Sequence, residues 1–382
     1  MWSDPKRHEN EDKAVLAVVA PHQFLPPRNG GHWGAYDFCE YSGRLVSLSC
    51  ICLRKNKALE HLSFQLINIL PSGLRKYLDP TLIVKFYRFF RENKSRACVV
   101  IQPYQTPLVY VASRMARIRL VVYAHNLEYA RFHSLGKPWW RLIRVLEKKC
   151  FRWADLVLFV SKREMHQAIV EFGLEQGKCL YLPPVIGDSK PPAVSEKNSI
   201  FTIIFFADFS YGPNRSALLN LVQDIDPLLA ASSTFAYRIE ICGRGLSMEI
   251  REQVLQPISH IEYLGFVDDI GTRIRRADVL VNPVAKGGGV QIKILQALAA
   301  GTTVVASESG CTGISMSVCA EKLHKIDDGD WPSYVDVITE IYRSKNTVRT
   351  TPKKFYDHYF WRNNIPHVLD RILGGIQDDI YG

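Results

Sequence analysis

NPVAKGGGVQIKILQALAAGTTVVAS, residues 282 to 307, is the stretch on which the reading of the fold turns. A short apolar run, Ala277 to Val281, leads into Asn282-Pro283 and reads as a strand. Three glycines, Gly287, Gly288 and Gly289, follow, and the apolar spacing after them predicts an amphipathic helix from about Val290 to Ala300. Gly301 ends that helix, and the β-branched run Thr302 to Val305 opens the next strand. Loop, helix and strand form one α/β unit. The amides of Gly288, Gly289 and Val290 are left uncovered where the helix dipole is positive, which makes the turn a seat for phosphate. Lys293, one turn in, adds a full charge. A tight strand-to-helix turn that needs glycine for its φ angles explains the glycines alone equally well. No GK[ST] follows, so this is not a P-loop.

Short apolar runs recur outward from this unit. Ala14 to Ala20, Ala97 to Gln102, Leu120 to Asn126 and Asp155 to Ser161 read as strands separated by helices. FTIIFFA, YRIEIC, IEYLGF, DVLVNP and TTVVAS form a second set. Alternation of this kind predicts parallel, doubly wound sheets. The proline-rich stretch Leu182 to Ser199 reads as a linker, placing one unit at 1–185 and a second at 186–354.

The chain of 382 residues, 47% hydrophobic, suffices for two cores. No run approaches the roughly 18 apolar residues that span a bilayer, and the charged N-terminus lacks a secretory h-region. Nine scattered cysteines without a CxxC pair point to reduced, mostly buried thiols in a cytoplasmic protein, not a disulfide frame or zinc site. Charge is unevenly divided: +13 over residues 1–185 and −3 over 186–382. No nucleic-acid motif accompanies the basic half, so nucleic acid is not the expected partner. An anionic membrane surface is, because KFYRFFRENKSR (Lys85 to Arg96) interleaves aromatic and basic residues as an interfacial helix does. An ordinary packed helix is the alternative for that segment. Trp139-Trp140, flanked by Lys137 and Arg141, also suits a headgroup layer. Gly243-Arg244-Gly245 starts like a dinucleotide fingerprint, but Met248 occupies its third glycine position, which argues against NAD or FAD. Asp268-Asp269 reads as a helix cap in preference to a metal site.

GGGVQIKILQALAAGTTVVAS resembles the donor-binding segment of family 4 (group 1) glycosyltransferases, retaining enzymes of the GT-B fold. Phe205 to Leu229, Tyr237 to Gly245 and Ile261 to Ile270 resemble that family's C-terminal unit. Val121 to Phe132 and Arg152 to Gln167 resemble its late N-terminal unit, and His358 to Pro366 its closing helix. The resemblance covers most of Val121 to Asp370 and implies two Rossmann-like, doubly wound parallel-sheet domains facing a cleft. It also implies that the tail, 355–382, packs back on the first domain.

On this resemblance, Gly287, Gly288, Gly289, Val290 and Lys293 hold the diphosphate of a nucleotide-sugar without a metal, and His125 at a strand tip faces the transferred sugar. Lys293 and His125 are thus the expected catalytic pair. Arg215 is the substitute for the arginine and lysine that usually follow the first strand of the second domain. Arg244 and the loop Leu264 to Val267, with Gly265 and Phe266, line the base and ribose, and Gln296 reaches ribose hydroxyls. Gly30 and Gly31, in the loop Asn29 to His32, stand near the acceptor, with Asn126 and Glu128. The chain departs from the family where two glutamates are usual, at Gly288 and Gln296, and where an arginine is usual, at Gln291. The expected function is transfer of a sugar, with retention, from a UDP- or GDP-sugar to a glycan or lipid-linked acceptor in cell-envelope synthesis. The nucleotide-sugar is a substrate, and no cofactor is expected. A lapsed nucleotide-sugar-binding protein and a nucleotide-sugar epimerase of the same fold are the alternatives left open.

Overall fold

The computed structural model describes residues 15–27, 30–57, 59–187, 198–285, 289–344 and 350–374. Its apolar runs are buried on both faces, as strands are when helices cover both sides of a parallel sheet. Seven make one sheet: β1 (Val15–Ala20), β2 (Ser47–Leu53), β3 (Gln65–Leu70), β4 (Ala97–Ile101), β5 (Arg119–Ala124), β6 (Leu156–Phe159) and β7 (Cys179–Tyr181). Their order is β3-β2-β1-β4-β5-β6-β7. Six make the other: β8 (Phe201–Asp208), β9 (Tyr237–Arg244), β10 (Ile261–Gly265), β11 (Val279–Asn282), β12 (Thr303–Ser307) and β13 (Leu323–Ile326), ordered β10-β9-β8-β11-β12-β13. Every pairing is parallel. Strand order reverses between β1 and β4 and again between β8 and β11, which opens a crevice at the carboxyl ends of each sheet.

Alternation along β1 shows how each core is built. Leu16, Val18 and Ala20 join the face covered by helices Gly30–Gly43 and Trp361–Leu373. Ala17 and Val19 join the face covered by helices Thr81–Glu92, Thr106–Ala116 and Trp140–Trp153. Strands β2, β3, β7 and β13 were not anticipated. SLSCICL carries serines between its apolar residues, QLINIL is an edge strand with half-exposed side chains, and β7 and β13 are very short.

Three expectations change. The interfacial reading of Lys85 to Arg96 gives way to the packed helix: Phe86 and Phe90 are fully buried with Leu82, and Phe89 packs against the same cluster. The interleaved pattern is that of a two-sided helix whose aromatics serve the core. The tail divides: Phe355 and Tyr359 of helix Lys353–Tyr359 pack on the second sheet, whereas Trp361–Leu373 packs on the first. The chain crosses at Phe360, where Ile186 donates its amide to Tyr359 O (2.8 Å) and accepts that of Trp361 (3.2 Å). Finally, the helix after the glycines runs Ile292–Ala299, two residues later than expected, because Gln291 is extended (φ −79°, ψ 90°). Gly301, at φ +80°, ends it in the left-handed region.

All nine cysteines are free thiols, and only Cys179 is more than marginally exposed. No helix among the described residues is long and apolar enough to cross a membrane.

Candidate functional site

The carboxyl ends of the two sheets enclose a cleft of about 740 Å³, lined from both sides. On the first-sheet wall stand Gly30, Gly31 and Gly34, at the start of helix Gly30–Gly43, together with Gln102, His125, Asn126 and Glu128. Gly30 and Gly31 therefore belong to the helix's first turn and not to a loop; the glycines let it approach the opposite wall. A Cβ on Gly30 would lie 3.1 Å from the Ile292 side chain, and one on Gly34 would lie 3.3 Å from the His125 ring.

His125 follows β5, is buried, and packs edge-on against Tyr123 at 4.5 Å. Burial lowers its pKa to about 4, so the ring is neutral near pH 7, and its Nε2 has no hydrogen-bond partner among the described residues. Glu128, expected on the acceptor side, reaches the cleft, but its carboxylate is committed. It accepts from Tyr104 Oη at 2.5 Å, from Asn126 Nδ2 at 3.0 Å, and pairs with Arg131 at 2.5 Å. Beneath it Glu147, wholly buried, accepts the amides of Glu128 (2.7 Å) and Tyr129 (2.8 Å). That carboxylate caps the segment following His125 as an N-cap side chain would. Burial drives its pKa up to about 8, with the two amides acting against the shift.

On the second-sheet wall stand Gly289, Val290, Lys293 and Gln296, with Asp208, Tyr211, Asn214, Arg244 and Phe266. Gly287 and Gly288 lie outside the described residues. Gly289 adopts φ +79°, with Asn126 close enough that a Cβ would fall 1.9 Å from its Oδ1. Lys293, in the first helical turn, is half-buried and points inward. Its Nζ donates to Asn214 Oδ1 at 3.2 Å and lies 4.9 Å above the Phe205 ring. Among the described residues no carboxylate pairs with it. Desolvation lowers its pKa to about 7, so the full charge expected at this position is only half present at neutral pH.

Arg215, expected at the diphosphate, does not line the cleft. Its guanidinium turns back onto the carbonyls of Phe209 (2.9 Å) and Ser210 (3.0 Å), shaping the turn after β8. Arg244 lines the cleft but is paired with Asp208 at 2.9 Å. Gly265, half-exposed, does not line the cleft, whereas Phe266 does, 66% exposed, as a ring on which a base can stack. Asp269 accepts the Thr272 amide at 3.0 Å as a helix cap. Sequence reasoning missed Asp208, Tyr211, Asn214, Arg131, Trp33 and Gln102. Two of these, Asp208 and Gln102, stand at strand ends, the one signal that could have found them.

Two parallel α/β sheets whose carboxyl ends face one cleft define the GT-B class. Residues 28–188 match the model described as Glycosyltransferase Family 4, and residues 200–343 match that described as Glycosyl transferases group 1. The chain belongs to this family. Among curated relatives, a phosphatidyl-myo-inositol mannosyltransferase of Mycolicibacterium smegmatis is 38% identical over 132 residues, 34% of this chain and 33% of that protein. One from Mycobacterium leprae is 34% identical over 106 residues, 27% of this chain and 28% of that protein. The aligned chain thus spans about a third of those relatives. Among solved structures, sucrose-phosphate synthase from Thermosynechococcus elongatus superposes with a TM-score of 0.74 at 12% identity, covering 94% of this chain and 98% of that one. HepE from Anabaena, solved with UDP and glucose, superposes with a TM-score of 0.67 at 14% identity, covering 94% and 99%.

Proposed function

We propose that the protein transfers a sugar from a nucleotide-sugar to a hydroxyl of a glycan or lipid-linked acceptor in cell-envelope synthesis, with retention and without a metal. The observation that carries this reading is the placement of Lys293 and Gly289 directly across the cleft from the His125 wall. As the bond between the anomeric carbon and the phosphate oxygen breaks, its electron pair passes to the departing diphosphate. Lys293 and the amides of Gly289 and Val290 meet that growing charge in a site of low polarity. The acceptor oxygen forms the new bond on the same face, and its proton passes to the leaving phosphate. Neutral His125 holds the sugar and is not assigned as the base.

Phe266 supplies a stacking face for the base, and Gln296 an amide for the ribose. The relatives' description as phosphatidyl-myo-inositol mannosyltransferases favours a mannosyl donor and a lipid acceptor; the UDP in the HepE structure favours a UDP-sugar. An exposed apolar face beside basic side chains supports a peripheral membrane position. Trp139 (49% exposed), Leu142 (70%) and Val145 follow one another at helical spacing next to Lys137, Arg141 and Arg144.

The test is thermal-shift titration with UDP-glucose, UDP-N-acetylglucosamine and GDP-mannose on the wild type and Lys293→Ala. A ligand specific for the folded state raises Tm by mass action. One nucleotide class stabilises the wild type and does so less in the variant; no shift from any of them sinks the reading. Turnover then separates a transferase from a lapsed binder, which the replaced glutamates at Gly288 and Gln296 favour. An epimerase converts UDP-N-acetylglucosamine with no acceptor present.

A further inference from the structure

Gln102 combines three features that the transfer reading has not used. It directly follows β4 on the cleft wall, hydrogen-bonded to β5 through its own amide and Tyr123 O at 3.0 Å. Its backbone sits at φ 67°, ψ 150°, a region that is nearly glycine's alone and is strained for other residues. Pro103, which follows, accounts for the ψ value, because a residue before proline is pushed to extended ψ; it does not account for the positive φ. Its side-chain Oε1 is buried and has no hydrogen-bond partner among the described residues, as is true of His125 Nε2 just after the neighbouring strand. Leaving a buried acceptor unmet is also unfavourable. A strained backbone and an unmet acceptor, at one residue that lines the cleft, are the marks of a residue held for a ligand.

We propose that Gln102 is a specificity-determining residue whose side-chain oxygen accepts a hydrogen bond from a hydroxyl of the transferred sugar, held against the His125 wall. The inference rests on the glycosyl-transfer reading, and it places the sugar between Gln102 and His125 on one side and the Gly289 to Lys293 diphosphate seat on the other. A site built to receive a hydroxyl rejects sugars that lack one there, since the buried oxygen then stays unpaired.

The test compares wild type, Gln102→Met and Gln102→Gly. Methionine keeps the length and loses the acceptor; glycine removes the side chain and relieves the φ strain. With whichever of UDP-glucose or GDP-mannose stabilises the wild type, Gln102→Met lowers kcat/KM about ten- to a hundredfold. The Kd for the free nucleoside diphosphate stays within twofold, because that group binds the opposite wall. Gln102→Gly loses the same activity without a drop in Tm. Among deoxy analogues of the donor sugar, one is turned over equally by wild type and Gln102→Met. An unchanged kcat/KM in Gln102→Met overturns the proposal while leaving the transferase reading intact, as does a parallel loss of nucleotide affinity and Tm in both variants. A wild type that binds neither nucleotide-sugar overturns both.

Discussion

Asn126, at the end of the first sheet, and Gly289, at the mouth of the second, meet so closely that a single added carbon on Gly289 would overlap the Asn126 side chain. The turn at Gly289 is thus set against the wall that carries His125. The two halves of the site share a contact and do not merely face each other.

Gly289→Ala tests that contact. Alanine meets both the positive φ and the 1.9 Å approach to Asn126, so the loop must move away from His125. The expected loss is about ten- to a hundredfold in kcat/KM, the size that misplacement by an ångström brings. Adding Asn126→Ala removes the steric half of the problem and recovers part of the nucleotide affinity, measured by calorimetry. No recovery in the double variant assigns the effect to φ alone.

Lys293 makes nucleotide binding depend on pH. Its pKa of about 7 in the free protein means that above pH 7 a diphosphate must bring in a proton to be met by an ammonium. Affinity for UDP or GDP falls by up to about tenfold per pH unit above 7. Calorimetry at pH 8 in two buffers of different ionisation enthalpy reads net proton uptake, and Lys293→Met abolishes it. Stability moves the other way. Between pH 7 and about 10 the unfolded chain keeps the proton that folded Lys293 has released, so this residue makes stability rise with pH over that window.

Glu147→Ala leaves the buried amides of Glu128 and Tyr129 without an acceptor. The expected destabilisation is about 2–4 kcal/mol by urea unfolding. Glu147→Gln, which keeps one acceptor oxygen, loses less. Equal stability of the wild type and the alanine variant would show that water takes over both amides.

Trp361 is almost wholly buried, with its ring stacked on Tyr41 at 5.0 Å and an interplanar angle of 13°. Trp361→Ala costs about 3–5 kcal/mol. Because this tryptophan anchors the tail to the first sheet just after the crossing at Phe360, the variant unfolds at lower urea. Its transition also broadens as the halves uncouple.

Fold class was legible in the chain because parallel strands covered on both faces must be apolar throughout. VLAVVA, ACVVI and TVVAS announce themselves without any partner. The turn chemistry of Gly301 and Gly289 was legible for the same local reason. Strands such as QLINIL were hidden, since an edge strand has one wet side and no distinct period. The aromatic residues of Lys85 to Arg96 misled because the same alternation suits a membrane surface or a core, and only the neighbouring sheet decides which. Within the site, His125 and Lys293 could be named from their positions beside strand ends and glycines. That Lys293 is only partly charged, that Arg215 is turned to backbone carbonyls, that Glu128 is already paired, and that Gln102 is strained with an unmet oxygen are facts about neighbours distant in sequence. Local sequence determines which segments are strands, turns and helix starts, because those follow from backbone sterics and apolar period. Charge state, side-chain commitment and reach into the cleft depend on desolvation and contact, and these exist only once the two sheets are packed.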